Sequence, residues 1–314
     1  LIEIEGISKS FGALKAIDDL SLKLPEGAFC TLVGPSGCGK STLLRMINAM
    51  ILPDSGRILL RGTDIRTLRP DRLRRGIGYV IQSVGLFPHW TIADNILTVP
   101  RLLRWPEERY AKRLDEIVAL TEIDPLWLAR YPRQLSGGQQ QRIGVARALA
   151  ADPDIILMDE PFAALDPPSR ANLQDEMRRI HARSKKTIVF VTHDIDEALK
   201  LASVIVLMNR GRIAQMGTPH EILAKPANEF VQSFIGGEAT HLRLLDLEQV
   251  STRMRPQMAE QAPAIFAHAS LKDALNLMLT ERCAVLAVQD QNGQRIGTLH
   301  IADLIEANDH RGTA

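Results

Sequence analysis

The sequence predicts an α/β domain with a helical subdomain set into it, followed by a small α+β unit. Three observations predict this. Short β-branched runs alternate with amphipathic stretches from Leu1 to about Ile235. Between Thr91 and about Leu149 the alternation stops and the pattern is helical throughout. At Gly236-Gly237 the pattern breaks, and short strands and helices resume near Pro263. With 314 residues, 45% of them apolar, the chain can build one large core and a smaller one.

Each element has its reason. Leu1 to Phe11 alternates apolar and polar residues like a half-buried strand and does not read as a signal peptide. Phe29–Val33, Ile155–Met158 and Thr187–Val191 are apolar runs with no charge and only Thr31 and Thr187 as polar residues, as in strands covered on both faces. Glu107–Leu120 places Leu114, Ile117, Val118 and Leu120 among charges at helical spacing. Residues 1–235 thus read as one domain, with the helical subdomain at about 91–149. Residues 236–261 are polar and Arg-rich and read as a linker. Residues 262–314 read as strand (Ala264–Ala267), helix (Leu271–Thr280), strand (Ala284–Val288), turn (Asn292-Gly293), strand (Arg295–Leu299) and helix (Ala302–Ala307). So small a unit buries little alone, and packing against a second copy is expected.

Composition narrows the function. Aromatics are 4% of the chain, too few for a surface that stacks bases. Lys plus Arg (38) nearly balance Asp plus Glu (37), and there is no basic stripe, so nucleic acid is not the expected partner. The Arg66–Arg75 cluster (Arg66, Arg69, Arg72, Arg74, Arg75) reads as a solvated face, with attraction to anionic lipid as the other reading. No run of 18 apolar residues exists, so any role at a membrane is expected to go through a partner. Three cysteines, Cys30, Cys38 and Cys283, fit a reducing cytosol.

Gly34-Pro35-Ser36-Gly37-Cys38-Gly39-Lys40-Ser41-Thr42 matches G-x-x-x-x-G-K-[ST] completely, between an apolar strand and an apolar helix. This is a phosphate-binding P-loop in its required context. Its glycines let successive N–H groups turn inward toward phosphate oxygens, and the helix N-terminus adds positive potential. Lys40 is expected to reach the β- and γ-phosphates, and Ser41 to ligate Mg²⁺. Cys38 reads as a small residue whose backbone N–H matters, or else as a redox-sensitive thiol. Downstream, the strand Ile155–Met158 ends in Asp159 and Glu160. Such a strand delivers its last side chains to the sheet edge. Asp159 is the expected Mg²⁺ ligand, and Glu160 the group that orients and deprotonates an attacking water.

Leu135-Ser136-Gly137-Gly138-Gln139 lies between these two motifs. With it, the chain resembles the ABC ATPases over about three-quarters of its length. The resemblance implies the fold of a P-loop NTPase of ABC type, ATP and Mg²⁺ as ligands, and hydrolysis coupled to transport. It implies that Gln82 is the Q-loop residue, contacting Mg²⁺ and the attacking water. Asp166, in Ala164-Leu165-Asp166, would be the D-loop acid that signals across a dimer. His193, in Val191-Thr192-His193-Asp194, would be the switch histidine that holds the γ-phosphate. Phe11 would stack on adenine. Taken singly, Gln82 and His193 are ordinary surface residues and Phe11 ordinary core; their order and spacing single them out. Ser136, Gly137, Gly138 and Gln139 open a helix and would bind the nucleotide of a second subunit, giving a head-to-tail homodimer that sandwiches two ATP molecules.

The same resemblance implies integral permease subunits, an extracytoplasmic substrate-binding protein acting indirectly, and a peripheral position on the cytoplasmic face of the membrane. Leu86, Phe87 and Trp90 are candidates for docking the permease, or for local packing. Tyr79-Val-Ile-Gln82-Ser-Val-Gly-Leu-Phe-Pro-His, Met158-Asp-Glu-Pro-Phe-Ala-Ala-Leu-Asp-Pro and Thr192-His-Asp-Ile-Asp-Glu-Ala are similar to bacterial importers of glycine betaine, carnitine and choline. A nucleotide-binding domain does not touch the solute, so amino acids or other solutes stay open. The tail is similar to a single cystathionine-β-synthase-type (CBS) repeat, which suggests pairing across the homodimer. In Gly297-Thr-Leu-His300-Ile-Ala-Asp303 the histidine replaces the usual hydroxyl, which weakens adenosine binding, although Asp303 could still hold a ribose.

Overall fold

The computed structural model describes residues 1–237, 240–257, 259 and 262–305. They divide into two units, Leu1–Pro219 and His220–Ala314. In the first, strands β1 (Ile2–Phe11) and β2 (Leu14–Leu24) lead to β3 (Phe29–Val33) and helix α1 (Lys40–Ile47). Strands β4 (Ser55–Leu60) and β5 (Thr63–Asp64) follow, then α2 (Pro70–Arg75) and β6 (Ile77–Val80). Next come the helices α3 (Ile92–Ile96), α4 (Thr98–Leu102), α5 (Glu107–Leu120) and α6 (Gly137–Ala150). The unit continues with β7 (Ile155–Asp159), α7 (Pro167–Ser184), β8 (Thr187–Thr192), α8 (Ile195–Leu201), β9 (Val204–Asn209) and β10 (Arg212–Gly217).

Two sheets result. One is antiparallel, in the order β2-β1-β4-β5. The other has six strands in the order β10-β9-β3-β8-β7-β6, parallel except at β10. The central strands are mainly apolar because both faces are covered. On β7, Ile155 and Leu157 join Leu43, Leu44 and Met46 of α1 and the antiparallel sheet. Ile156 and Met158 turn the other way, to Ile143 and Leu149 of α6 and Leu173 and Met177 of α7.

Register positions the chemistry. Val33 of β3 pairs with Thr192 of β8, and Asp159 of β7 pairs with Val191 of β8. The three strands therefore end level, about 5 Å apart. The next residues, Gly34, His193 and Glu160, leave one edge of the sheet together. Between β6 and β7 the described residues contain helices and turns only.

In the second unit, α9 (Pro219–Ala224) and α10 (Glu229–Phe234) precede α11 (Thr240–Leu247). Strand β11 (Ala264–Phe266), α12 (Leu271–Glu281), β12 (Val285–Gln289), β13 (Arg295–His300) and α13 (Ile301–Ile305) complete it. The sheet order is β11-β12-β13, parallel and then antiparallel. The part of the expected last helix beyond residue 305 lies outside the described residues. Residues 236–261, expected as a linker, carry α11 and contribute the buried Leu245 and Val250 to a core with Leu271, Leu286 and Leu299. Two of the arginines that made this stretch look solvated have acid partners: the largely buried Arg253 pairs with Glu248, and the partly exposed Arg255 with the buried Asp303.

Candidate nucleotide site

The P-loop follows β3 with a backbone that only glycine accommodates. At Gly34 (φ +153°) a Cβ would meet the Met208 carbonyl oxygen at 2.2 Å. At Gly39 (φ +107°), the N-cap of α1, it would meet the Ala16 oxygen at 2.5 Å. Leu43, Leu44, Met46 and Ile47 are buried and anchor α1, so its N-terminus is fixed behind the loop. Lys40 is 5% exposed, and a buried ammonium needs partners. Its Nζ donates to the carbonyls of Gly34 (2.7 Å) and Pro35 (2.9 Å), which hold it inside the loop. Ser36 and Gly37 are exposed at the tip, while Pro35 and Thr42 are half-buried. Burial pushes the Cys38 thiol up, away from the reactive thiolate.

The acids at the sheet edge reach this loop. Ser41 Oγ donates to Asp159 at 2.7 Å, and Arg45 stands 3.6 Å from the same carboxylate. Ser41 and Asp159 supply oxygen donors only, which suits Mg²⁺. Among the described residues there is no cluster of three or more His, Cys, Asp or Glu side chains able to hold a metal. Glu160 has a left-handed backbone (φ +45°), uncommon for a residue with a side chain, and its amide donates to the Val191 carbonyl at 3.1 Å. Its carboxylate lies 3.4 Å from His193 Nδ1. Lys40, Ser41, Asp159, Glu160 and His193 thus gather at one end of the parallel sheet.

Other expected residues stand apart. Gln82 is exposed in the turn after β6, and among the described residues no hydrogen bond joins it to Ser41 or Asp159. That turn carries Val84 and Gly85 at positive φ (+59° and +56°). Arg147 of α6 holds it, donating to the carbonyls of Gly85 (2.6 Å) and Val84 (2.7 Å). Sequence reasoning missed Arg147; the signal was an arginine one helical turn from the buried Ile143. Ser136 caps α6 in a reciprocal box: it accepts from the Gln139 amide (3.3 Å), and Gln139 Oε1 accepts from the Ser136 amide (2.8 Å). Ser136 and Gly137 are exposed, with open space around Gly137. Asp166 caps α7 by accepting from the Ser169 amide, and the Ser169 hydroxyl and amide together lower its carboxyl below the usual range. Phe11 is 48% exposed at the end of β1, with Lys9 Nζ 5.7 Å from its ring centre.

The loop after Gln82 is built on Asn95. This buried amide accepts from the Phe87 N–H at 2.7 Å and donates to the carbonyls of Phe87 and Thr91. Phe87 and Trp90 are held exposed, their rings 4.5 Å apart, whereas Leu86 packs into the helical core. Beside Phe87 lies a groove of about 280 Å³ whose lining includes Tyr79, Ile81, Val99 and Arg147. In the second unit, both Asp303 oxygens accept from Arg255 Nε (3.0 and 3.1 Å), and one takes the His300 amide. The acid considered for ribose is therefore already engaged.

Comparison with known proteins decides the family. Residues 17–163 match the family described as ABC transporter. Over 305 residues the chain is 51% identical to the glycine betaine uptake system ATP-binding protein YehX of Escherichia coli K12, covering 97% of this chain and 99% of that one. The chain belongs to the ABC transporter ATP-binding proteins. This ABC chain is also 48% identical to the glycine betaine/carnitine/choline transport ATP-binding protein OpuCA of Bacillus subtilis, over 98% of its own length and 80% of that protein. It is similar to the dimeric ATP-binding cassette MJ0796 bound to ADP and Pi, with TM-score 0.62 and 32% identity, over 70% of this chain and 99% of that one. As an ABC subunit it is an ATPase coupled to transport and works with membrane partners. No helix among its described residues is long and apolar enough to cross a membrane.

Proposed function

We propose that this ABC subunit energises uptake of quaternary amine osmoprotectants (glycine betaine, carnitine and choline) through a partner permease. One observation carries the solute: the likeness to YehX and OpuCA runs through nearly the whole chain, the second unit included. Two copies close head to tail on two ATP molecules, the exposed Ser136-Gly137-Gly138-Gln139 end of α6 completing the partner's site. An extracytoplasmic binding protein delivers the solute, and the subunit sits on the cytoplasmic face. Phe87, Trp90 and the neighbouring groove receive the permease.

The proposed chemistry follows from the geometry. Lys40 and the backbone N–H groups of residues 34–42 neutralise phosphate charge. Ser41 and Asp159, already 2.7 Å apart, hold Mg²⁺ with Gln82 as a further ligand. Bound there, Mg²⁺ supplies charge compensation on the β- and γ-phosphates. Glu160 accepts the proton of the attacking water. His193 keeps Glu160 oriented and donates to the γ-phosphate. Phe11 stacks on adenine, and Asp166 contacts the partner subunit.

The test is uptake of labelled glycine betaine, carnitine and choline by cells lacking their own systems and expressing this chain with its permease and binding protein. Accumulation of at least one amine is expected. It should vanish with Glu160→Gln, a variant that still binds MgATP but turns over more than about 100-fold slower. Full ATPase activity in that variant would remove Glu160 from its role, and uptake of none of the three amines would remove the solute assignment.

A further inference from the structure

Behind Glu160 and His193 lies a small polar cavity of about 40 Å³, lined by Glu160, Ala163, Arg170, Thr192, Asp194 and Glu197 together with His193. Glu197, on α8, is 6% exposed, and burial pushes its carboxyl up. The Thr192 hydroxyl donates to Glu197 at 2.6 Å and accepts from the Asp194 amide at 3.0 Å. One hydroxyl thus fixes the backbone on both sides of His193. Asp194 in turn caps α8, accepting from the Asp196 amide at 2.8 Å.

Arg170 reaches this cluster from α7. Its Nη2 donates to the carbonyl of Leu165, next to Asp166, at 3.2 Å. Its Nε faces Glu197 at 3.8 Å, and its Nη1 faces Asp194 at 4.0 Å. Among the described residues, the buried Nε has no hydrogen-bond acceptor. Such a donor carries a desolvation cost that a structural ion pair at normal contact distance avoids. The arrangement is one short step from closing: a shift below 1 Å brings Arg170 onto Glu197.

We propose that Arg170 and Glu197 are positioning residues that link the loop at Leu165-Asp166 to His193. A displacement of that loop pulls Arg170 through the Leu165 carbonyl. Arg170 then draws on Glu197 and Asp194, and Thr192 transmits the change to the backbone carrying His193 beside Glu160. Thr192 and Glu197 are buried and bonded to each other, whereas Arg170 and Asp194 are half-buried, so the movable step of the link is the approach of Arg170. Neither residue touches nucleotide; both set the angle at which His193 meets Glu160. The proposal rests on the roles read above for Glu160 and His193.

A mutant cycle in the reconstituted transporter tests it. Glu197→Gln keeps the side-chain shape and an acceptor for Thr192 but removes the charge facing Arg170. Glu197→Gln and Arg170→Ala should each lower kcat tenfold or more, with KM for MgATP and the thermal midpoint close to the unmodified protein. Arg170→Lys should recover part of the loss. Combined with His193→Ala, neither should lower kcat further, since the link acts only through His193. Multiplicative losses in the combined variants would overturn the link, as would a loss of kcat that follows a loss of folded protein. If His193→Ala and Glu160→Gln themselves leave turnover intact, the reading of the site fails, and with it the link; that result is separate from multiplicative loss.

Discussion

At Glu176 of α7 the fold buries a carboxylate beside the signature helix, 1% exposed. Arg142 Nη2 lies 2.8 Å from it, yet neither carboxylate oxygen accepts a well-aligned hydrogen bond. Burial raises the carboxyl to about 7; Arg142 opposes the rise and Glu122 adds to it. A carboxyl raised on folding keeps its proton in the folded chain while the unfolded chain releases it. Its contribution is therefore fully present below about pH 4.5 and is lost as pH rises to about 7. The Glu176→Gln variant removes this titration. It should be more stable than the parent at pH 8, by on the order of 2 kcal/mol, with little difference at pH 4.5. Urea unfolding across that window checks it; parallel curves for the two proteins would mean that Arg142 fully compensates the buried charge. Gln82, Ser136 and Phe11 show the opposite residue-scale logic. They are exposed, as side chains proposed to meet a nucleotide or another chain have to be.

Single elements carry more than one duty. Helix α6 begins in the capping box of Ser136 and Gln139, and ten residues on it presents Arg147 to the turn after β6. That turn holds Val84 at φ +59°, a strained setting for a β-branched residue, worth about 1–3 kcal/mol. The two Arg147 bonds offset it, and Arg147 gives up solvation to do so: burial lowers its guanidinium below the usual range. In Arg147→Ala the turn should relax, and the amides of residues 81–85 should exchange with solvent about tenfold faster or more. The N-terminal half of α6 should be unaffected. Hydrogen exchange followed by mass spectrometry measures both, and unchanged exchange at 81–85 would show that the turn holds itself. The same helix explains a limit of sequence reading. Gly34–Thr42 and Ser136–Gln139 are contiguous, so their chemistry is legible as a string. Arg147 meets Val84 across 63 residues and Arg170 meets Glu197 across 27, and only the folded register creates those meetings.

Over the whole molecule, the strand sequence told most about the sheet core. Phe29–Val33, Ile155–Asp159 and Thr187–Thr192 are strands because apolar runs bounded by turns can be covered on both faces. Residues 236–261 misled because their arginines suggested solvent, whereas each of Arg253 and Arg255 has an acid from its own unit. Among the described residues, three clusters of buried side chains stand out. Two of them, on the two faces of the six-stranded sheet, use buried residues up to Met208. The third begins at Leu245 and shares no residue with them. Cores with no common side chain can be lost separately. Removing residues 240–314 deletes the third core and keeps in the chain every buried residue of the two sheet cores, together with Lys40, Ser41, Asp159, Glu160 and His193. The shortened protein, assembled with its permease, should hydrolyse ATP within about twofold of the full chain, because a domain core resists loss of a separate one. The resemblance of residues 262–314 to a CBS repeat is the one ground for a regulatory role, and on that proposal the response of uptake to ionic strength should change in the shortened protein. Paired measurements of ATP hydrolysis and solute uptake at low and high salt check both halves. Loss of hydrolysis would make residues 240–314 a structural part of the catalytic fold, and an unchanged salt response would remove them from regulation.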